Sequence, residues 1–195
     1  MPQQHWQRLD SRPGEDCRIF RVRWDRYRLQ SRGQEGQFVV LEAPDWVNVV
    51  ALTTSGRLVL VQQFRHGVEQ VTLEVPGGMI DPGEDPVQAA LRELEEETGY
   101  CGGQARLLGH VLPNPAFMNN RCYTVLVTGA KPQGQMRPDP FELLEVQTVP
   151  VEQLPQLLAQ GQISNALVVA ALAAAGATAA GLVPESPLAR QLDAS

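Results

Sequence analysis

The sequence predicts a mixed α/β or α+β domain, a sheet layered between a few helices. Three observations carry that prediction. Short β-patterned runs recur between residues 17 and 75, some joined by hairpin-type turns. One strongly acidic, well-capped helical segment follows at 86–98. Strand-like and helix-like segments then interleave towards the C-terminus.

The elements follow in chain order. Residues 17–29, CRIFRVRWDRYRL, place Phe20, Val22 and Trp24 on one side and Arg21 and Arg23 on the other, the period of a half-buried strand. The arginines face solvent on this reading, although such a row could also grip an anion. Gly33 and Gly36 mark a turn before a second strand at 37–42, and Pro44-Asp45 closes an N-terminal β segment, 1–45. The main domain, 46–175, opens with strands at 47–53 and 58–63 around a Ser55-Gly56 turn, and another at 71–75. The helix at 86–98 precedes strands expected at 105–112, 122–128 and 143–149 and helices at 154–159 and 165–175. Residues 176–195, rich in Ala, Gly and Pro, read as a flexible tail.

Composition narrows the function classes. The chain has 195 residues, 43% hydrophobic and 19% charged, enough to bury a core without disulfides. A net charge of -6 provides no basic field for nucleic-acid phosphates, so no nucleic-acid partner is expected. Cys17, Cys101 and Cys122 are spaced for neither a disulfide framework nor a zinc site, which points to reduced thiols and the cytoplasm. Residues 1–16 lack the apolar region of a signal peptide. Residues 166–181 are short for a membrane span and are interrupted by Gly176.

The acidic helix holds the chemistry. Asp85 suits the N-cap, Pro86 the first helical position and Gly99 a left-handed C-cap. Val87, Leu91, Leu94 and Thr98 form an apolar stripe. Glu93 and Glu97 are four residues apart and Glu96 three from Glu93, so their carboxylates gather on one edge. Each like-charge pair costs roughly 0.2–0.5 kcal/mol, at the helix end where the macrodipole already disfavours anions. A hard divalent cation with oxygen ligands would relieve that repulsion, whereas a solvated acidic face is the competing explanation.

The spacing from Gly78 through Glu84, Arg92-Glu93-Leu94 and Glu96-Glu97 to Gly99-Tyr100 matches the Nudix box at every position, so the chain resembles a Nudix hydrolase. The resemblance implies a mixed sheet flanked by helices and hydrolysis of nucleoside diphosphate derivatives. Carried over to these positions, Glu93, Glu96 and Glu97, with the Gly77 carbonyl, would hold Mg²⁺ or Mn²⁺ and keep all glutamates ionised at neutral pH. Arg92 and Glu96 would belong to the catalytic set, Arg92 by orienting a motif carboxylate. Glu84 would tie the loop to the helix, and Gly78 and Gly99 would supply backbone geometry. Glu95 has no place in the pattern and reads as a solvated residue.

The segment 62–78, QQFRHGVEQVTLEVPGG, resembles the ADP-ribose pyrophosphatase and nucleotide-sugar hydrolase branch. The likeness implies that Arg65 binds a substrate phosphate and Glu74 contacts substrate or a nearby water. Downstream, Pro113 and Pro115 fit that branch, but PNPAFMNN departs from its more frequent Pro-Gly pattern and opens the choice among nucleotide sugars. Asn119, with Phe117 and Met118, would line the sugar pocket or, for the two apolar residues, the core. Glu142 aligns with the branch's general base, with Asp139 and Glu145 in reserve. Trp46 or Trp24 would stack a base or pack in the core. The N-terminal strands resemble an arm that builds a homodimer. Hydrolysis of dinucleoside polyphosphates, coenzyme A or capped RNA, and a non-catalytic nucleotide-sensing module, are the competing readings.

Overall fold

The computed structural model describes residues 5–179. The chain divides into two compact units. One holds the described residues up to Asp45 together with Leu112–Arg121; the other holds Trp46–Val111 together with the described residues from Cys122 onward.

The first unit is an antiparallel sheet of β1 (Trp6–Asp16), β2 (Arg21–Leu29) and β3 (Gln34–Glu42), in the order β1-β2-β3. The β1 strand was not expected. Its sequence, WQRLDSRPGED, is polar throughout because most of its residues stay exposed, so no apolar alternation announces it. Residues 17–20, expected within a strand, form the turn into β2, where Arg18 takes a φ of 68°. The expected faces of β2 hold at exposed Arg21 and half-buried Val22 but fail from Arg23 onward. Trp24 is exposed, while Asp25 is 0% exposed and accepts Arg23 Nε and Nη2 at 3.0 Å each and the Ser11 hydroxyl at 2.6 Å. Arg23 also donates to Glu42, so it is locked in an ion cluster rather than solvated. Buried charges persist when their hydrogen-bonding capacity is met, as it is for Asp25. Among the described residues of this unit, only Asp25 and Asn120 are buried, and both are polar. Trp6, Tyr27 and Phe38 pack edge to face, with centroids 5.9–6.4 Å apart, yet Trp6 and Phe38 remain exposed.

The second unit is built on a seven-stranded mixed sheet. Its strands are β4 (Trp46–Thr53), β5 (Arg57–Arg65), β6 (Gln70–Glu74), β7 (Gly77–Met79), β8 (Gln104–Val111), β9 (Cys122–Ala130) and β10 (Glu145–Pro150). The main order is β10-β5-β4-β9-β8, with β6 on β5 and β7 on β4. Only the β4–β9 pair is parallel. β7 was missed because three residues with two glycines carry no strand pattern. It forms because Gly77 lies so close to β4 that a Cβ there would strike the Val47 carbonyl.

Helix α1 (Pro86–Thr98) covers one sheet face and α3 (Ala166–Ala179) the other, with the short α2 (Leu154–Ala159) between them in sequence. The alternation of β4 shows the two layers. Val47, Val49 and Ala51 join Ala89, Ala90 and Leu94 of α1, whereas Val50 joins Val168, Ala171 and Leu172 of α3. This is the mixed sheet between helices that the sequence predicts. α3 runs to Ala179, so residues 176–179, expected in a tail, are helical; 180–195 lie outside the described residues.

Candidate active site

Local chemistry places α1. Asp85 accepts Val87 N–H at 2.8 Å and Gln88 N–H at 3.2 Å, Pro86 begins the helix, and Gly99 ends it at φ 68° with its N–H on Glu95. The buried stripe is wider than expected: Ala89, Ala90, Leu94, Thr98 and Glu97 are buried, and Val87 and Leu91 only partly. Glu97 therefore lies on the core side of the helix, 3% exposed.

Gly77 of β7 donates its N–H to Glu97 Oε2 at 2.9 Å. Burial pushes the Glu97 carboxyl up to about 8 despite that bond, and the charges of Glu93 and Glu142 push the same way. Burial also raises Glu93, against the pull of Arg92. Gly78 faces Glu93 directly: a Cβ there would lie 2.5 Å from Glu93 Oε1.

Arg92 organises the rest. It grips Glu84 with two bonds of 2.9 Å, donates to Glu93 at 2.8 Å and Glu96 at 3.1 Å, and reaches the Met79 carbonyl at 3.0 Å. Hydrogen bonds that Arg92 donates to Glu84 above all, then to Glu93 and Glu96, raise the Arg92 pKa, and Arg92 in turn lowers that of Glu84. One guanidinium thus joins the loop at Glu84, the strand at Met79 and two helix carboxylates. Glu95 is not freely solvated. It is half-buried against Gly134, whose Cβ would come within 2.7 Å of Glu95 Cγ. Gly134 and Arg137 donate backbone N–H groups to the Gly99 and Glu96 carbonyls at 2.9 and 2.7 Å, closing the C-terminal end of α1.

Around this acidic end lie Arg65 and Glu142. Arg65 is drawn first to Glu74, and the more distant charges of Glu97 and Glu142 also stabilise its cation. Glu142 sits in a turn whose backbone N–H donates to Asp139 O at 2.9 Å while its Oε2 accepts Asp139 N–H at 3.2 Å. Glu145 begins β10 opposite Gln62 and is exposed.

Glu74 is 3% exposed, and all its acceptor positions are committed. Oε1 accepts Arg65 Nε at 2.9 Å and Thr72 Oγ1 at 2.6 Å; Oε2 accepts Arg65 Nη2 at 2.9 Å and Asn165 Nδ2 at 2.7 Å. Burial alone would raise its pKa, but these partners outweigh it and hold the carboxyl below its ordinary value. Thr72 and Asn165 join the site without a role in any of its sequence motifs. The β6 alternation already places Thr72 on the face of Glu74; Asn165 is distant in sequence and gave no such signal.

Trp46 and Asn119 are the two remaining expected substrate contacts. Trp46 is half-buried at the start of β4, paired with Met79 and Cys122. Asn119 belongs to the first unit, where its Oδ1 accepts Ala43 N–H at 3.3 Å and its N–H donates to Leu41 O at 3.4 Å. Among the described residues, no three acidic, His or Cys side chains stand converged as a ready metal cage. Glu93 and Glu96 are drawn onto Arg92 instead. The donors still fit a hard divalent cation: they are carboxylate oxygens, and among the described residues no Lys or Arg pairs with buried Glu97.

A mixed sheet thus lies between two helices, with a buried acidic helix end beside a Gly-Gly strand. The NUDIX domain model matches residues 44–172, and the chain belongs to that family as a Nudix pyrophosphohydrolase. Among its relatives, the ADP-ribose pyrophosphatase of Bacillus subtilis (strain 168) is 30% identical over 69% of this chain and 73% of that protein. The methanol dehydrogenase activator of Bacillus methanolicus is 29% identical over 80% and 84%, and the ADP-sugar pyrophosphatase of Mus musculus 41% over 50% and 47%. A crystal structure of an ADP compounds hydrolase shares the fold with a TM-score of 0.81 at 24% identity, covering 92% of this chain and 98% of that one.

Proposed function

We propose that the chain hydrolyses the pyrophosphate bond of ADP-ribose or a related nucleoside diphosphate sugar, with Mg²⁺ or Mn²⁺, to a nucleoside monophosphate and a sugar phosphate. The observation that carries this reading is the buried carboxylate of Glu97 beside Glu93, with Arg65 and Glu142 close enough to act electrostatically on the same region. The names of the B. subtilis and mouse relatives favour an ADP-linked substrate.

In this proposal Glu93, Glu96, Glu97 and the Gly77 carbonyl hold the cation. When bound, a divalent cation offsets diphosphate charge and makes a water more acidic. Arg92 keeps the carboxylates and the Glu84 loop in register, while Gly78 and Gly99 provide the backbone approach and the helix end. Glu142, in the turn between β9 and β10, takes the proton of the attacking water. Arg65 binds a phosphate oxygen. Glu74 acts through Arg65, since its own acceptors are occupied. Trp46 stacks against the nucleotide base.

A homodimer is part of the proposal. A three-stranded sheet whose buried side chains are polar gains little from its own core, and exposed Trp6 and Phe38 offer apolar surface to a second copy. Cysteine usage favours the cytoplasm, and among the described residues no helix is long and apolar enough to cross a membrane. The test is a substrate panel of ADP-ribose, nucleotide sugars, dinucleotides and coenzyme A with Mg²⁺ and Mn²⁺, alongside size exclusion with light scattering. Turnover confined to coenzyme A or dinucleotides would overturn the substrate, absence of any turnover the hydrolase reading, and a monomer the dimer.

A further inference from the structure

Asn165 stands at the N-terminus of α3, far in sequence from β6, and its side chain does two jobs. Its Oδ1 accepts Leu167 N–H at 2.9 Å and caps the helix. Its Nδ2 donates to Glu74 Oε2 at 2.7 Å. The reverse amide orientation would set oxygen against carboxylate and N–H against N–H, so the two contacts determine each other. Thr72 completes the other side of the carboxylate through Oε1 at 2.6 Å.

We propose that Asn165 is a positioning residue for the substrate: through Glu74 it holds the Arg65 guanidinium in the orientation that meets a substrate phosphate. The proposal rests on reading Arg65 as the phosphate contact. Arg65 is half exposed, and a free arginine side chain samples many rotamers. Two parallel bonds to Glu74 fix the plane of the guanidinium and commit Nε and Nη2, leaving Nη1 for a ligand. The carboxylate can impose that plane only if it cannot rotate, and Asn165 and Thr72 immobilise one oxygen each. Ordering Arg65 before substrate arrives lowers the entropy lost on binding, so the benefit appears in affinity more than in the chemical step.

The two jobs of Asn165 separate experimentally. Asn165→Ser keeps a capping hydroxyl and removes the donor to Glu74. Thr72→Val is a second variant that removes only the other donor. Turnover of ADP-ribose with Mg²⁺, and calorimetric binding of ADP-ribose in chelator, are measured for both variants, for Arg65→Ala and for the Asn165→Ser/Arg65→Ala double variant. Asn165→Ser is expected to raise KM and the chelator Kd about tenfold, with kcat within about twofold and Tm lowered by a few degrees. In the Arg65→Ala background it should add nothing, because its effect travels through Arg65. Unchanged KM and Kd in Asn165→Ser and Thr72→Val, or a full additional effect without Arg65, would overturn the proposal. A wild-type chain that binds ADP-ribose without hydrolysing it removes the hydrolase reading alone; one that does neither removes both.

Discussion

Glu97 Oε2 accepts the backbone N–H of Gly77 at 2.9 Å, and this bond joins the buried face of α1 to the short strand β7. It places a carboxylate where burial alone would exclude one. The Gly-Gly pair permits it: side chains there would strike the Val47 carbonyl on one side and Glu93 on the other.

Replacing Glu97 with Gln keeps the shape and removes the charge. kcat should fall by at least about a hundredfold if the carboxylate serves the cation. Stability should not fall, because the substitution relieves a buried charge raised mainly by desolvation. Thermal unfolding and steady-state kinetics read the two effects, and near wild-type turnover would remove Glu97 from the metal set.

Adding one methyl at Gly78 tests the close approach. Gly78→Ala sets a Cβ 2.5 Å from Glu93 Oε1 and 2.6 Å from its Cδ, so Glu93 must leave its place. The stability cost should be small, about 1 kcal/mol or less, because the atoms met are the far end of the flexible Glu93 side chain, whereas half-activation should require several-fold more Mg²⁺. A Mg²⁺ titration of activity together with urea unfolding checks both; an unchanged Mg²⁺ requirement would separate Gly78 from the cation site.

Acid should weaken the fold through Glu74. Its folded-state pKa lies below its ordinary value of 4.5, so the stability it contributes is fully present above 4.5 and is lost as pH falls through the folded pKa. Glu74→Gln should therefore cost about 1–3 kcal/mol at pH 7, discounted for the half-exposed Arg65, and progressively less below pH 4.5. Urea unfolding of both proteins at pH 7 and in acid measures the difference. A gap that widens in acid would contradict the sign.

Glu142→Gln separates proton transfer from metal binding. kcat should drop about 10²–10⁴-fold, with the Mg²⁺ dependence unchanged. If kcat holds, the base is Asp139, Glu145 or a carboxylate on α1.

Much of the site was legible because it is local. The caps, the 3,4 spacing of Leu91 and Leu94 and the gathering of Glu93, Glu96 and Glu97 depend on helix geometry, which residue order alone prescribes. The mixed sheet between helices followed from strand periods in the same way. β1 and the burial of Asp25 were not legible, because neither an exposed polar strand nor a carboxylate buried against charge partners shows apolar alternation.

The sequence by itself determined the helix, its acidic edge and the family, through spacings that act within a few turns of chain. Tertiary structure decided what those residues touch. It turned Glu97 inward against Gly77, spread Arg92 across Glu84, Glu93 and Glu96, and brought Asn165 to Glu74 across ninety-one positions. A hydrogen bond depends on direction and distance in space, and those are set only when the sheet and α3 pack together.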